Sequence, residues 1–183
     1  LITDMIVFLK RFLSEPGRVG SVAPSSRFLC KEMMKRVPWH AARTIVELGP
    51  GTGAFTGAIL RKKRPDAIFF VIERDLQFRK LLESRFPGLI VKREAMQLNS
   101  YLAEMKLEQV DAIISGLPFA IFSPELRTAI LDEVVKALAP GGVFVTFQYS
   151  LQLHDELQQR FSTVEIGFTA LNIPPAFIYM CRK

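Results

Sequence analysis

The chain predicts a doubly wound α/β sheet, and three observations predict it. Strand-like and helix-like segments alternate from Arg43 onward without a break, the pattern of a mostly parallel sheet with helices on both faces. A glycine-rich run, Glu47-Leu48-Gly49-Pro50-Gly51-Thr52-Gly53, follows the strand-like Thr44-Ile45-Val46 and suits a tight turn from strand into helix. The last two strand-like segments are separated only by Ala170 to Pro175. So short a connection cannot hold a crossover helix, and that pair is expected to be antiparallel.

Each element has its own signal. Between Ile2 and Leu13, the residues Ile2, Met5, Ile6, Leu9, Phe12 and Leu13 share one face at helical spacing, with Thr3, Asp4, Lys10, Arg11 and Ser14 opposite, and Pro16-Gly17 stops the helix. Such a helix either lies in a lipid interface or packs on the sheet. The stretch from Arg18 to Ser26 reads as a loop, with Ser25 as N-cap of a second helix that stops before Pro38. Strands are expected near 43–48, 67–73, 89–93, 110–115 and 142–148, with helices near 52–63, 75–85, 97–105, 123–138 and 150–160. Two strands, near 163–169 and 176–182, close the sheet.

A length of 183 residues fits one domain, large enough to bury about 70% of its unfolded surface. Residues 1–40 are read as a leading helix, loop and helix within that domain, a candidate lid toward membrane or substrate, and residues 41–183 as the ligand-binding body. Net charge is +6, and the first forty residues carry seven basic against three acidic side chains. That bias points to an anionic partner, nucleic acid or lipid head groups, or to a solvated basic face. Apolar stretches fall short of the ~20 residues a spanning helix needs, no signal-peptide pattern follows Leu1, and the two cysteines, Cys30 and Cys181, have no metal or redox spacing. The expected location is cytoplasmic, at the inner face of a membrane. His40 and His154 are isolated, so no metal site is expected. Arg61-Lys62-Lys63-Arg64 sits at a helix C-terminus, where basic side chains meet the dipole favourably.

The glycine run excludes some ligands. A dinucleotide fingerprint spaces its glycines as GxGxxG, whereas Ala54-Phe55-Thr56 separates Gly53 from Gly57 here, and the Gly-Lys-Ser/Thr of a Walker loop is absent. Glu73, directly after Ile68-Phe69-Phe70-Val71-Ile72, stands at the right distance for a carboxylate on ribose hydroxyls.

Glu-Leu-Gly-Pro-Gly-Thr-Gly resembles motif I of the class I S-adenosylmethionine-dependent methyltransferases. A sulfonium cofactor is positively charged and carries no pyrophosphate, so an acidic Glu47 beside the turn suits it. The resemblance implies a Rossmann-like, seven-stranded sheet, mostly parallel with an antiparallel last strand, in the order 3-2-1-4-5-7-6. Ligands then bind beyond the carboxyl ends of the parallel strands.

Four further segments narrow the resemblance: Gly20-Ser21-Val22-Ala23-Pro24-Ser25-Ser26-Arg27, Ser115-Gly116-Leu117-Pro118-Phe119, Pro140-Gly141-Gly142 to Tyr149, and Asn172-Ile173-Pro174-Pro175-Ala176. With them the chain resembles bacterial phospholipid N-methyltransferases, enzymes of phosphatidylethanolamine related to ribosomal RNA adenine dimethyltransferases. Amino-group methyltransferases of nucleic acid place Asn/Asp-Pro-Pro-Tyr/Phe where this chain has Ser115-Gly116-Leu117-Pro118-Phe119. Ser115 is a weaker acceptor than a carboxylate or carboxamide, which suits an alkylamine better than the delocalised amine of adenine. By this resemblance Glu47, Gly49, Gly51 and Gly53 hold the amino-acid end of the cofactor, Glu73 the ribose, and Glu94, Ala95 and Met96 the adenine. Ser21, Val22 and Ser25 close over it, while Ser115 and Gly116 offer carbonyls near the methyl group. Phe119 and Tyr149 form an aromatic wall beside the substrate nitrogen, and Arg18 and Arg27 pair with lipid phosphate. Residues 1–14 then meet an anionic membrane surface. The alternatives are an RNA adenine N-methyltransferase and a cofactor-binding protein without catalysis; relatives acting on ribosomal RNA usually append a helical domain, whereas this chain's last expected element is a strand.

Overall fold

The computed structural model describes residues 24–183 apart from Ile173, with side chains from Arg27 onward. The expected helix over 2–13 and the expected site residues Arg18, Ser21 and Val22 lie outside the described residues. Helix α1 (Pro24–Met34) leads into β1 (Thr44–Leu48), α2 (Ala54–Lys62), β2 (Ile68–Ile72), α3 (Leu76–Arg85) and β3 (Ile90–Lys92). Then follow α4 (Leu98–Glu104), β4 (Val110–Ser115), α5 (Pro124–Ala137), β5 (Leu138–Gln148), α6 (His154–Gln158), β6 (Thr163–Thr169) and β7 (Ala176–Arg182). The sheet order is β3-β2-β1-β4-β5-β7-β6. β7 runs antiparallel to both its neighbours, and the pairs among β1 to β5 are parallel. Order and strand directions are those expected from the sequence.

The period of two along each strand divides the core. Val46, Leu48, Phe70, Ile113 and Phe144 face α4, α5 and α6. Ile45, Val71, Ala112, Ile114 and Val145 face α1, α2 and α3. Because both faces are covered, β1 is buried throughout, and its apolar Ile45, Val46 and Leu48 do not alternate strictly with polar residues. Leu29, Met33 and Met34 of α1 are part of this core.

Local chemistry sets the boundaries. α1 begins at Pro24, so Ser25 stands inside the first turn rather than capping it; proline is tolerated there because its missing N–H would have no partner. The helix expected near 52–63 starts at Ala54, not Thr52, because Gly53 holds a left-handed conformation (φ 86°) as its N-cap. Asp75 caps α3 by accepting from the amides of Gln77 and Phe78 at 2.8 and 3.0 Å, and Ser123 caps α5. β5 starts at Leu138, earlier than expected, and absorbs Pro140-Gly141 as an irregularity in its pairing with β4. The expected helix at 150–160 is cut to five residues: the Tyr179 hydroxyl donates to the Ser150 carbonyl at 3.2 Å, holding the approach in a turn.

Phe119 requires a correction. It opens a 3-10 turn with its ring inside the core, fully buried. Edge-to-face contacts join it to Phe122 and Phe144 at 5.9 and 6.3 Å, and Phe144 stacks on Phe161 at 5.8 Å. The ring is packing for the loop above it, not a wall beside a ligand. Phe119→Ala is therefore expected to cost about 3–5 kcal/mol, roughly 10 °C in Tm for a domain of this size, and Phe119→Leu to recover most of that loss. Equal melting temperatures for the two variants would contradict the packing role.

Candidate active site

The glycine turn lies where the carboxyl ends of β1 and β4 meet. The Gly49 amide donates to the Ile72 carbonyl at 2.9 Å and the Gly116 amide to the Leu48 carbonyl at 2.8 Å. A side chain on Gly116 would begin 2.7 Å from the Gly49 carbonyl oxygen, closer than any Cβ tolerates, so the two loops touch backbone to backbone. Gly51 differs. Its φ of 54° is left-handed and nothing lies within 4 Å of where its Cβ would be, so the turn presents bare backbone to open space, as a cradle for a ligand requires.

Two carboxylates flank this cradle. Glu47, in β1, is fully buried. Its Oε2 accepts from the Thr56 hydroxyl at 2.7 Å, and its Oε1 is buried without a partner. Burial pushes its carboxyl up to about 8, the Thr56 hydrogen bond pulls it back, and the nearby Glu73 charge adds to the rise. An orphaned carboxylate oxygen in a dry place is costly, and a ligand ammonium is the kind of group that relieves it. Glu73, just past β2, accepts from the Gly51 amide at 3.0 Å and the Asp75 amide at 2.9 Å. Burial raises its pKa, and these hydrogen bonds oppose the rise. Each oxygen has a further lone pair, so the carboxylate braces the turn and can still accept from a diol.

The Ser115–Phe119 segment is held from β5. Ser115 is fully buried. Its Oγ accepts from the Leu117 amide at 3.2 Å and its carbonyl accepts from the Thr146 hydroxyl at 3.2 Å. Ser115 thus acts as a strut of the loop, and its carbonyl is already engaged; Gly116, Leu117 and Pro118 are the half-buried members. Gln148, also buried, donates to the Leu117 carbonyl at 3.0 Å and accepts from the Ala120 amide at 3.3 Å. Thr56, Thr146 and Gln148 escaped the sequence reading. Their signal is a polar side chain set between apolar ones, as in Val145-Thr146-Phe147-Gln148 for the last two.

Tyr149, just past β5, is half-buried and edge to face with Phe147 at 5.7 Å. Burial raises its phenol and a hydrogen bond with the Asn172 side chain partly opposes that. It therefore stays protonated near neutral pH and is unsuited to accepting a proton. Ala95–Gln97 form a 3-10 turn beyond β3, next to Glu73, whose amide donates to the Lys92 carbonyl at 3.0 Å. The Glu94 carboxylate meets Arg93 at 3.3 Å, and Met96 is exposed. Arg27 is exposed on α1, and Ser25 is described by its backbone alone. Hydrogen bonds thus join Glu73 to Gly51, and close packing joins Gly49 to the Ser115–Phe119 loop; among the described residues Arg27 makes no such link. Among the described residues no three His, Cys, Asp or Glu side chains cluster as metal ligands.

A family model for the methyltransferase small domain matches residues 12–170. The ornithine lipid N-methyltransferase of Singulisphaera acidiphila is 35% identical over 98% of this chain and 96% of its own length. Ribosomal RNA large subunit methyltransferase G of Aeromonas salmonicida is 22% identical over 73% of this chain and 37% of its own. Among solved structures, the N-methyltransferase NodS from Bradyrhizobium japonicum in complex with S-adenosyl-L-homocysteine superposes with a TM-score of 0.73 at 16% identity, covering 92% of each chain. That last likeness is one of fold. From a matched family model, a near full-length relative and a glycine cradle flanked by carboxylates, the chain belongs to the class I S-adenosylmethionine-dependent methyltransferases.

Proposed function

We propose that this protein methylates the amine of a lipid head group at a membrane surface, with S-adenosylmethionine as donor. The observation that carries this reading is the near full-length similarity to an ornithine lipid N-methyltransferase. It shifts the expected substrate from phosphatidylethanolamine alone to aminolipids as a class, an ornithine-bearing lipid first and phosphatidylethanolamine second. Both head groups offer a primary alkylamine next to an acidic group.

Glu47 and the backbone of Gly49, Gly51 and Gly53 would hold the ammonium end of the cofactor, Glu73 its ribose, and Glu94, Ala95 and Met96 its adenine. Ser21, Val22 and Ser25 would close the near side. When bound, S-adenosylmethionine supplies a methyl group on a cationic sulfur. This chain's own residues orient and desolvate. A free alkylamine of the lysine kind is protonated up to about pH 10.4, and a poorly hydrated pocket favours its neutral, nucleophilic form. Gly116, Leu117 and Pro118 would line the amine's approach, and the Tyr149 ring would flank a nitrogen that gains positive charge, a contact worth about 0.5–2 kcal/mol. Arg18 and Arg27 would pair with the head group's phosphate or carboxylate.

Radiolabelled methyl transfer to vesicles containing ornithine lipid, vesicles containing phosphatidylethanolamine, and RNA, run side by side, is expected to label the lipids. Label in RNA alone would overturn the reading. The raised Glu47 carboxyl also has a pH signature. The folded protein keeps on Glu47 a proton that the unfolded chain releases near the ordinary 4.5, so the Glu47 contribution to stability is fully present below about 4.5 and is lost as pH rises to about 8. The ligand-free protein is expected to melt progressively lower across that window, Glu47→Gln to flatten the trend, and S-adenosylhomocysteine to restore wild-type stability at pH 8. An unchanged slope in Glu47→Gln would count against the buried, unpartnered state. Gln148→Leu, which frees the Leu117–Ala120 backbone, is expected to lower kcat roughly 10- to 100-fold while cofactor Kd stays within about twofold. A matching loss of cofactor affinity would show that Gln148 acts through the cradle instead.

A further inference from the structure

Among the described residues the six most exposed large apolar side chains, at 47–62%, are Leu171, Phe168, Leu76, Leu151, Met96 and Phe28. Leu76, Met96 and Leu151 follow the carboxyl ends of β2, β3 and β5, and Phe168 and Leu171 straddle the end of β6. Ile90, Ile68 and Ile166 follow at about 40%; Ile68 and Ile90 open their strands at the opposite end of the sheet, and Ile166 lies midway along β6.

Phe28 reaches the same level from the other side. α1 runs against the strands, because its C-terminal end leads to the start of β1, and Arg36 just beyond it bridges Glu165 low on β6 at 2.6 Å. Eight residues back along a helix is about 12 Å and four residues up a strand about 13 Å, so Phe28 comes level with Thr169 at the β6–β7 turn. Leu76 and Met96 belong to the cofactor half of the site. The other four surround the β5-β7-β6 half.

Register ties this half to the reacting centre. Gln148, which clamps the Ser115–Phe119 loop, pairs with Phe177, and Phe177 pairs with Phe168. Two strand spacings put Phe168 about 10 Å from Gln148, with its ring tilted on Phe177 at 5.3 Å. The exposed Arg27 and Lys31 stand beside Phe28 on α1, while Glu32 is taken by Lys35. The exposed Asp155 lies on the Leu151 side. Exposed apolar tips beside exposed cations match the boundary of an anionic bilayer, where apolar tips enter the acyl region and cations meet head groups.

We propose that Phe28, Leu151, Phe168 and Leu171 form an apolar rim that seats the β6–β7 edge of the active site in an anionic lipid leaflet. The proposal rests on the lipid reading above. The occupant is the bilayer itself, and the seating delivers a head group sideways to the loop held by Gln148 without lifting the lipid out of the membrane.

The test uses the full chain and substrate-free vesicles of phosphatidylglycerol and phosphatidylcholine, so docking is read apart from catalysis. Leu171→Trp is expected to be quenched by lipids brominated on their acyl chains, against a Trp39 background fixed by its bond to the Met34 carbonyl. The paired variant Phe168→Ser with Leu171→Ser is expected to bind these vesicles at least tenfold more weakly. It is also expected to lose methyl transfer to aminolipid in vesicles while keeping it on the same lipid in detergent micelles. Leu171→Trp left unquenched on vesicle-bound protein would overturn the rim. So would a blue-shifted emission without vesicles, which would mean that another part of the chain or a second copy covers it. Failure of the wild type to methylate any aminolipid would instead sink the lipid reading, and the quenching would still report on docking.

Discussion

The contact between the Gly49 carbonyl and the place where a Gly116 side chain would begin, 2.7 Å apart, is the constraint on which the site depends. β1 and β4 are neighbours at the centre of the sheet, and their tips carry the two working loops. With backbone against backbone, neither loop can shift without the other. The ligand cradle and the Ser115–Phe119 segment are thereby held in one frame, the positional accuracy that transfer between two bound molecules demands.

That frame is braced laterally by polar side chains from the next strands. Thr146 and Gln148 reach from β5 to the Ser115 and Leu117 carbonyls, and Glu73 reaches from β2 to the Gly51 amide. Each brace satisfies a backbone group that would otherwise be stranded in the interior. Phe119 works from below, filling the core under the loop it belongs to. Glu47 is the exception to this full satisfaction. One of its oxygens has no partner, and folding tolerates that cost at the point where a cationic ligand would remove it.

The edge formed by β5, β7 and β6 follows a different logic. Around the carboxyl ends of β5 and β6 the exposed Leu151, Phe168 and Leu171 belong to neither core cluster. Among the described residues no helix is long and apolar enough to cross a membrane.

Much of this was legible in the residues alone. Alternating periodicity, the glycine run and the short Ala170–Pro175 link determined the strand set, the reversed last strand and the positions of Glu47, Gly51 and Glu73, because these signals depend on neighbours along the chain. The roles of Phe119, Ser115 and Gln148 were not legible. A phenylalanine after a strand reads the same whether its ring turns outward or inward, and only the packing of Phe122 and Phe144 decided that it turns inward. Gln148 acquires its partners across a strand boundary, 31 residues from Leu117, and that pairing exists only once β5 lies beside β4. The sequence by itself determined which backbone could approach a nucleoside. The tertiary structure decided which side chains hold that backbone still, since such contacts come from strands distant in the chain and adjacent in space.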